Sequence, residues 1–92
     1  MKELVKKKWI AAMNNKLSKT YIQKGDYTNS IFHLNKALGI NKNIDTNTGL
    51  QVSYYLLGYH YYNVGEFERA YKYFTNFTTF FEGNIRMTNA GK

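Results

Sequence analysis

Cysteine and proline are both absent from the 92 residues. Without cysteine the chain has neither a disulfide framework nor a thiolate metal site, and without proline nothing breaks a helix from within. Acidic residues are scarce, six Asp and Glu against thirteen Lys and Arg, and none forms the close carboxylate pair that acid–base chemistry uses. His33 and His60 fall on different predicted helices with no carboxylate beside them in sequence, and the glycines are isolated, so a phosphate-cradling loop is missing as well. These absences argue against an enzyme and imply no metal and no cofactor. No run of about 20 apolar residues is present to span a bilayer. The longest early apolar run, Trp9 to Met13, is not followed by a small-residue cleavage site and does not make a secretory signal. The basic, acid-poor start shares features with organelle-targeting segments, but it lacks Arg and continues into the first helix. It is expected to be retained as structure; the sequence does not decide the compartment, an intracellular place in the cytoplasm and one in mitochondria both being open.

What the chain does have is aromatic surface and an uneven charge. Nine Tyr, six Phe and one Trp supply most of what a thin core needs in a single small domain, which leaves roughly a third or more of its unfolded-state surface exposed. Residues 1–24 hold seven lysines against Glu3 alone, a net +6 out of the total +7. A block of that kind draws acidic partners, nucleic acid or an anionic membrane surface, with Lys6, Lys7 and Lys8 as the candidate anion contacts and Trp9 as a possible stacking platform. The block lacks Arg, and no sequence pattern of a known nucleic-acid reader accompanies it.

Hydrophobic spacing predicts an all-α chain of four helices. Val5, Trp9, Met13, Leu17 and Tyr21 recur every four residues, with Ile10 beside them, and predict an apolar inward stripe on a helix from about Lys2 to Gln23. Gly25 closes that helix and Asp26 offers an N-cap for the next, expected from about Tyr27 to Leu38 with Tyr27, Ile31, Leu34, Ala37 and Leu38 inward. The polar stretch 39–47 is expected to be a loop. A third helix is predicted to start at a capping box of Thr48 and Gln51 and to run to Val64. The fourth is predicted from about Phe67 to Phe81, with a stop at Gly83-Asn84 and a flexible tail over 84–92.

Between Gln51 and Glu82 the sequence QVSYYLLGYHYYNVGEFERAYKYFTNFTTFFE breaks once, at Gly65. Tyr54, Leu57, Gly58 and Tyr61 share one helix face before the break; Phe67, Ala70, Tyr71, Phe74 and Phe77 share one after it. Gly58 leaves room for a close neighbouring helix. Laying Gly25 on Gly65 aligns Leu17 with Leu57, Ser18 with Gly58, Tyr21 with Tyr61, Tyr27 with Phe67, Ser30 with Ala70 and Leu34 with Phe74, a second, degenerate copy at a spacing of 40 residues.

The pattern aromatic, Leu-Gly, Tyr, Gly turn, Ala and aromatic, filled here by Tyr54, Leu57, Gly58, Tyr61, Gly65, Phe67, Ala70 and Phe74, resembles the tetratricopeptide repeat. Phe77 and Glu82 depart from it, where the family prefers a small residue and Pro. The resemblance implies a domain over 1–83 built from two repeats, about 11–38 and 51–82, that binds other proteins as an interaction or scaffold module. The segment YYLLGYHYYNVGEFERAYKYF is also similar to the second repeat of the mitochondrial fission adaptor family, without that family's hydrophobic C-terminal anchor.

In such repeats the first helix of each pair lines the concave surface. The resemblance therefore implies a partner-binding face of Val52, Tyr55, Leu56, Tyr59, Tyr62 and Asn63 in the second repeat and of Ala12, Asn15, Lys16, Lys19, Ile22 and Gln23 in the first. Such a face is Tyr-rich at one end and basic at the other, suited to a peptide with an acidic end. Some family members clamp a C-terminal carboxylate with Lys and Asn; here Asn15 and Lys19 stand in the reverse order and Leu56 replaces a further Asn. Repeat arrays commonly need three or more units, and helix four ends in Tyr73, Phe74, Phe77, Phe80 and Phe81. That aromatic end predicts an assembly contact through Phe77, Phe80 and Phe81, to a larger complex or a second copy.

Overall fold

The computed structural model describes the backbone of residues 2–44 and 47–90, and the side chains of these through Thr79 together with Glu82. Four helices follow one another, α1 Lys2–Lys24, α2 Tyr27–Asn43, α3 Asn47–Val64 and α4 Phe67–Ala90, and no strand occurs among the described residues. They pack as two antiparallel pairs, α1 with α2 and α3 with α4, joined through α2–α3 and α1–α3 contacts. This is the all-α, helix-turn-helix architecture expected from the spacing.

The two turns within the pairs are built alike. Gly25 takes φ +79° and Gly65 φ +94°, conformations that glycine adopts without the steric cost of a Cβ. At the first turn Asp26 N–H donates to Tyr21 C=O at 2.9 Å and Gly25 N–H to Ile22 C=O at 3.0 Å. At the second, Glu66 N–H donates to Tyr61 C=O at 2.9 Å and Gly65 N–H to Tyr62 C=O at 3.2 Å. Both are the paired closing bonds of a glycine-ended helix. Asp26 caps α2 as predicted: its carboxylate accepts from Asn29 N–H at 3.2 Å and from the Asn29 side-chain amide at 2.7 Å. These bonds hold its pKa below the usual carboxylate value, the side-chain bond first.

Within the second pair, Gly58 provides the close approach that its place on the inner face predicts. A Cβ built on Gly58 would lie 2.5 Å from two ring carbons of Phe74. Leu57 and Ala70 are buried beside it, with Tyr54, Tyr61, Phe74 and Phe77 half-buried. Tyr73 stacks between Tyr54 and Tyr61, at centroid separations of 6.2 and 5.7 Å. Phe67 and Tyr71, expected inward, are exposed instead. Between the pairs, Ile22, Leu34, Leu56 and Leu57 form the apolar centre, with Tyr27, Ile31 and Leu38 against it.

Helix α1 is turned over relative to expectation. Val5, Trp9, Met13 and Leu17 are exposed, Trp9 at 66%, and the buried residues are Ala11, Asn14, Asn15, Ser18 and Ile22. The reason is geometric: a strict spacing of four overshoots the helical repeat by about 40° per step, so the stripe winds about 120° around the helix between Val5 and Leu17. The residues that do face α2 and α3 are mostly small or amidic, and they let the helices approach closely. Two further corrections concern helix ends. The region 39–43, expected to be loop, completes α2, and α4 passes the predicted stop at Gly83-Asn84 and continues to Ala90. A lone internal glycine costs a helix only about 1 kcal/mol relative to Ala, and without proline neither stretch carries a stronger break. Thr48, expected to cap α3, lies inside its first turn, because the helix begins at Asn47.

Candidate functional site

A groove of about 620 Å³ runs between α1 and α3. From α1 it takes Lys8, Ala12, Asn15, Lys16 and Lys19; from α3 it takes Thr48, Gly49, Val52, Tyr55 and Leu56; Asn41 of α2 reaches it from behind. Its sides are unlike, with lysine ammonium groups on one and the apolar Val52, Tyr55 and Leu56 on the other. Two of the lining residues are buried amides, Asn15 and Asn41. Asn41 donates from Nδ2 to Ser53 Oγ at 3.2 Å, and Ser53 Oγ donates to Asn15 Oδ1 at 3.4 Å, all three residues being buried. This relay ties α1, α2 and α3 together beneath the groove. Ser18, also buried, donates back to Asn15 C=O at 2.7 Å and adds no unmet group.

The predicted concave face is thus brought together in part. Asn15 and Lys19, with Ala12, Lys16, Val52, Tyr55 and Leu56, line the groove. Tyr59 is half-buried against the central cluster, and Ile22 belongs to that cluster outright. Tyr62 is exposed and makes an edge contact with Phe67 at 5.6 Å, and the Asn63 side chain donates to Tyr59 C=O at 2.7 Å; neither lines the groove. Tyr55 is itself placed by α4, its ring 6.2 Å from Phe74 and 5.5 Å from Phe77. Phe77, the one residue of the expected assembly contact whose side chain is described, is half-buried against Tyr55, while the side chains of Phe80 and Phe81 lie outside the described residues. Of the three candidate anion contacts, Lys8 enters the groove, Lys6 borders a separate shallow hollow with Lys2, Val5 and Trp9, and Lys7 is exposed.

Lys8, Asn41, Thr48 and Gly49 complete the groove without having been picked out as concave residues. Asn41 is hidden by the expectation of a loop over 39–47, and Thr48 by its expected role as a cap; once α2 is extended by a turn, Asn41 falls on the face that holds Leu34 and Ala37.

Both histidines are structural. His33 donates from Nδ1 to Asn14 Oδ1 at 2.8 Å and stacks on Tyr21 at 5.5 Å. His60 shares a 2.9 Å hydrogen bond with Ser30, with Tyr27 and Tyr61 edge-on to its ring. Burial lowers its pKa, partly opposed by the charge of Glu66. Among the described residues no three or more His, Asp or Glu side chains gather where they could hold a metal ion, and no helix is long and apolar enough to cross a membrane.

The sequence profile of the tetratricopeptide repeat matches residues 11–44 and 52–79, more than half of the chain and one segment for each helical pair. Repeats of this kind mediate protein–protein interaction or scaffolding and are a non-enzymatic fold. No curated protein and no solved structure matches the chain. With both pairs matched, both turns closed in the same way and Gly58 seated against Phe74, the chain belongs to the tetratricopeptide repeat family.

Proposed function

We propose that the α1–α3 groove holds a short segment of a partner protein, one that carries an apolar side chain beside acidic residues. The observation that supports this most is the unlike pair of walls: Lys8, Lys16 and Lys19 face Val52, Tyr55 and Leu56 across an open groove. Lysines on the rim attract carboxylates over distances of about a Debye length and set orientation and on-rate. The aliphatic and aromatic wall removes apolar area from water, and Tyr55, braced by Phe74 and Phe77, loses little freedom on binding. The amides of Asn15 and Asn41 at the bottom suit the backbone of an extended or helical peptide.

Titration of labelled peptides of equal apolar content but acidic, neutral or basic charge tests the reading. The acidic peptide should bind best and weaken with salt. Tyr55→Ala and Lys19→Glu should each lower its affinity about tenfold or more without changing the helical signal. Equal binding of all three peptides, or no effect of either substitution, would overturn the assignment. Tyr59 is a poor probe, since its partial burial in the core confounds binding with stability.

A further inference from the structure

The two helical pairs are copies in register, so each end of the molecule displays half of an interface whose complete form exists once inside it. In the middle, α3 packs on the first pair through Ser53, Leu57 and His60, with Ser53 bonded to Asn41 and Asn15 and His60 to Ser30. Moved back by 40 residues, Ser53 and Leu57 become Met13 and Leu17, and Gly49 becomes Trp9. All three are exposed on α1. The other end shows the reciprocal pattern. Ile22, Tyr27 and Ile31 of the first pair pack into the central cluster, Ile22 at only 3% exposure. Their copies in the second pair, Tyr62, Phe67 and Tyr71, are 59%, 61% and 75% exposed, and the rings of Tyr62 and Phe67 touch. Each end thus presents large apolar side chains at positions that are covered wherever a neighbouring pair exists, an arrangement that marks a contact surface more than scattered exposed residues do.

We infer that copies of this chain join end to end, the outer face of α1 on one copy packing against the Tyr62–Phe67–Tyr71 face of the next in the register that α3 takes on the first pair, with apolar contact of Trp9, Met13 and Leu17 in place of the Ser53 and His60 hydrogen bonds. Charge disfavours the pairing of two α1 faces, and the register of the internal contact, an α1-type face on the far side of a pair, favours α1 on the opposite end. Residues 1–24 carry net +6, so two α1 faces repel; α4 holds Arg69, Lys72 and Arg86 against Glu68 and Glu82, only +1, and can accept an α1 face at much lower electrostatic cost. The contact uses two different surfaces, so each addition leaves one free end of each kind and growth passes the dimer, ending only where a ring closes. Each junction also gives a two-repeat chain the extra neighbours that short repeat arrays lack.

Sedimentation of the full chain over a range from micromolar to millimolar should show an average mass that rises from 10.8 kDa and passes twice that value without a plateau there. Met13→Glu blocks one end and Tyr71→Glu the other; both positions are exposed, and unchanged helical signal and melting confirm that each variant folds. Each variant alone should associate about tenfold or more weakly than the wild type. Mixed in equal amounts they should form a one-to-one heterodimer and nothing larger, since Tyr71→Glu keeps its α1 face and Met13→Glu its Tyr62–Phe67–Tyr71 face. A wild type that remains monomeric overturns the proposal and assigns the ends to a partner of different sequence. A plateau at the dimer, or a mixture no more associated than its components, overturns the head-to-tail geometry.

Discussion

Ser30 and His60 share a 2.9 Å hydrogen bond between α2 and α3, both side chains shut off from water. It links the first helical pair to the second, and one of its members titrates near neutrality. Burial holds the His60 pKa below its usual value of 6.5, so the unfolded chain takes up the proton first as pH falls. Stability is therefore flat above about pH 6.5 and declines as pH drops below that value, until the folded-state pKa is also passed. Urea unfolding at pH 7.5 and 5.5 should show the lower midpoint at 5.5, and His60→Gln, which keeps a hydrogen-bonding side chain but does not titrate, should remove most of the difference. Carboxylate titration belongs to a lower range, about pH 4, and Asp26, whose pKa is lowered by its cap bonds, adds its own loss only there.

Two glycines in helices should respond in opposite directions to alanine. At Gly58 the new methyl would meet the Phe74 ring at 2.5 Å, a ring that also packs near Tyr55; accommodating it means moving the ring or separating α3 from α4. Gly58→Ala should cost about 1–3 kcal/mol. At Gly39, inside α2, nothing lies within 4 Å of the added methyl, and alanine restricts the unfolded chain. Gly39→Ala should gain about 0.5–1 kcal/mol. Thermal melts of the two variants beside the wild type decide it; a stable Gly58→Ala would mean that the close approach is unnecessary.

The Asn15–Ser53–Asn41 relay makes a third prediction. Asn41 reaches across from α2 to Ser53 in a buried setting. Asn41→Ala leaves the buried Ser53 hydroxyl with one partner fewer and opens space under the groove, so it should cost about 1–3 kcal/mol. The double change Asn41→Ala with Ser53→Ala should cost less than the sum of the two single changes, as coupled partners do. Strict additivity in equilibrium unfolding would show that the relay carries no energy.

Repeats are easiest to read where backbone geometry demands one residue type. Gly25 and Gly65 adopt positive φ and Gly58 faces a ring, and those three positions were enough to place both turns, align the pairs and find the inner face of α3. Leu34, Ala37 and Leu57 follow from helical spacing alone. The face of α1 does not, because its contact surface is made of Ala11, Asn14, Asn15 and Ser18, residues that carry little hydrophobic signal, while the stronger apolar signal of Trp9, Met13 and Leu17 belongs to the outer surface. The same alignment contained the missing clue: Ser18 lies opposite Gly58, so the inner face of α1 passes through Ser18 and not through Trp9. Asn15, Lys19 and Tyr55 are legible from the repeat register as residues of one face, whereas Asn41 is not, because its run of Asn and Lys reads as loop although nothing in it stops a helix.

Leu17 and Leu57 occupy the same register in the two pairs and differ in what covers them. Leu57 is 1% exposed, in the central cluster beneath the first pair, whereas Leu17 is 42% exposed on the open side of α1. Leu57→Ala removes fully buried methyl groups and leaves a cavity, which should cost about 2–5 kcal/mol; Leu17→Ala should cost less than about 1 kcal/mol in a dilute monomer. The comparison becomes sharper at high protein concentration. If a neighbouring copy covers Leu17, the same alanine substitution should also lower association, and the gap between its effects on dilute and concentrated samples measures that coverage. Leu57→Ala, already enclosed within the chain, should shift dilute and concentrated melts alike. Equal and small costs at both positions would contradict the central packing of α3 on the first pair, and with it the register that makes the two helical pairs equivalent.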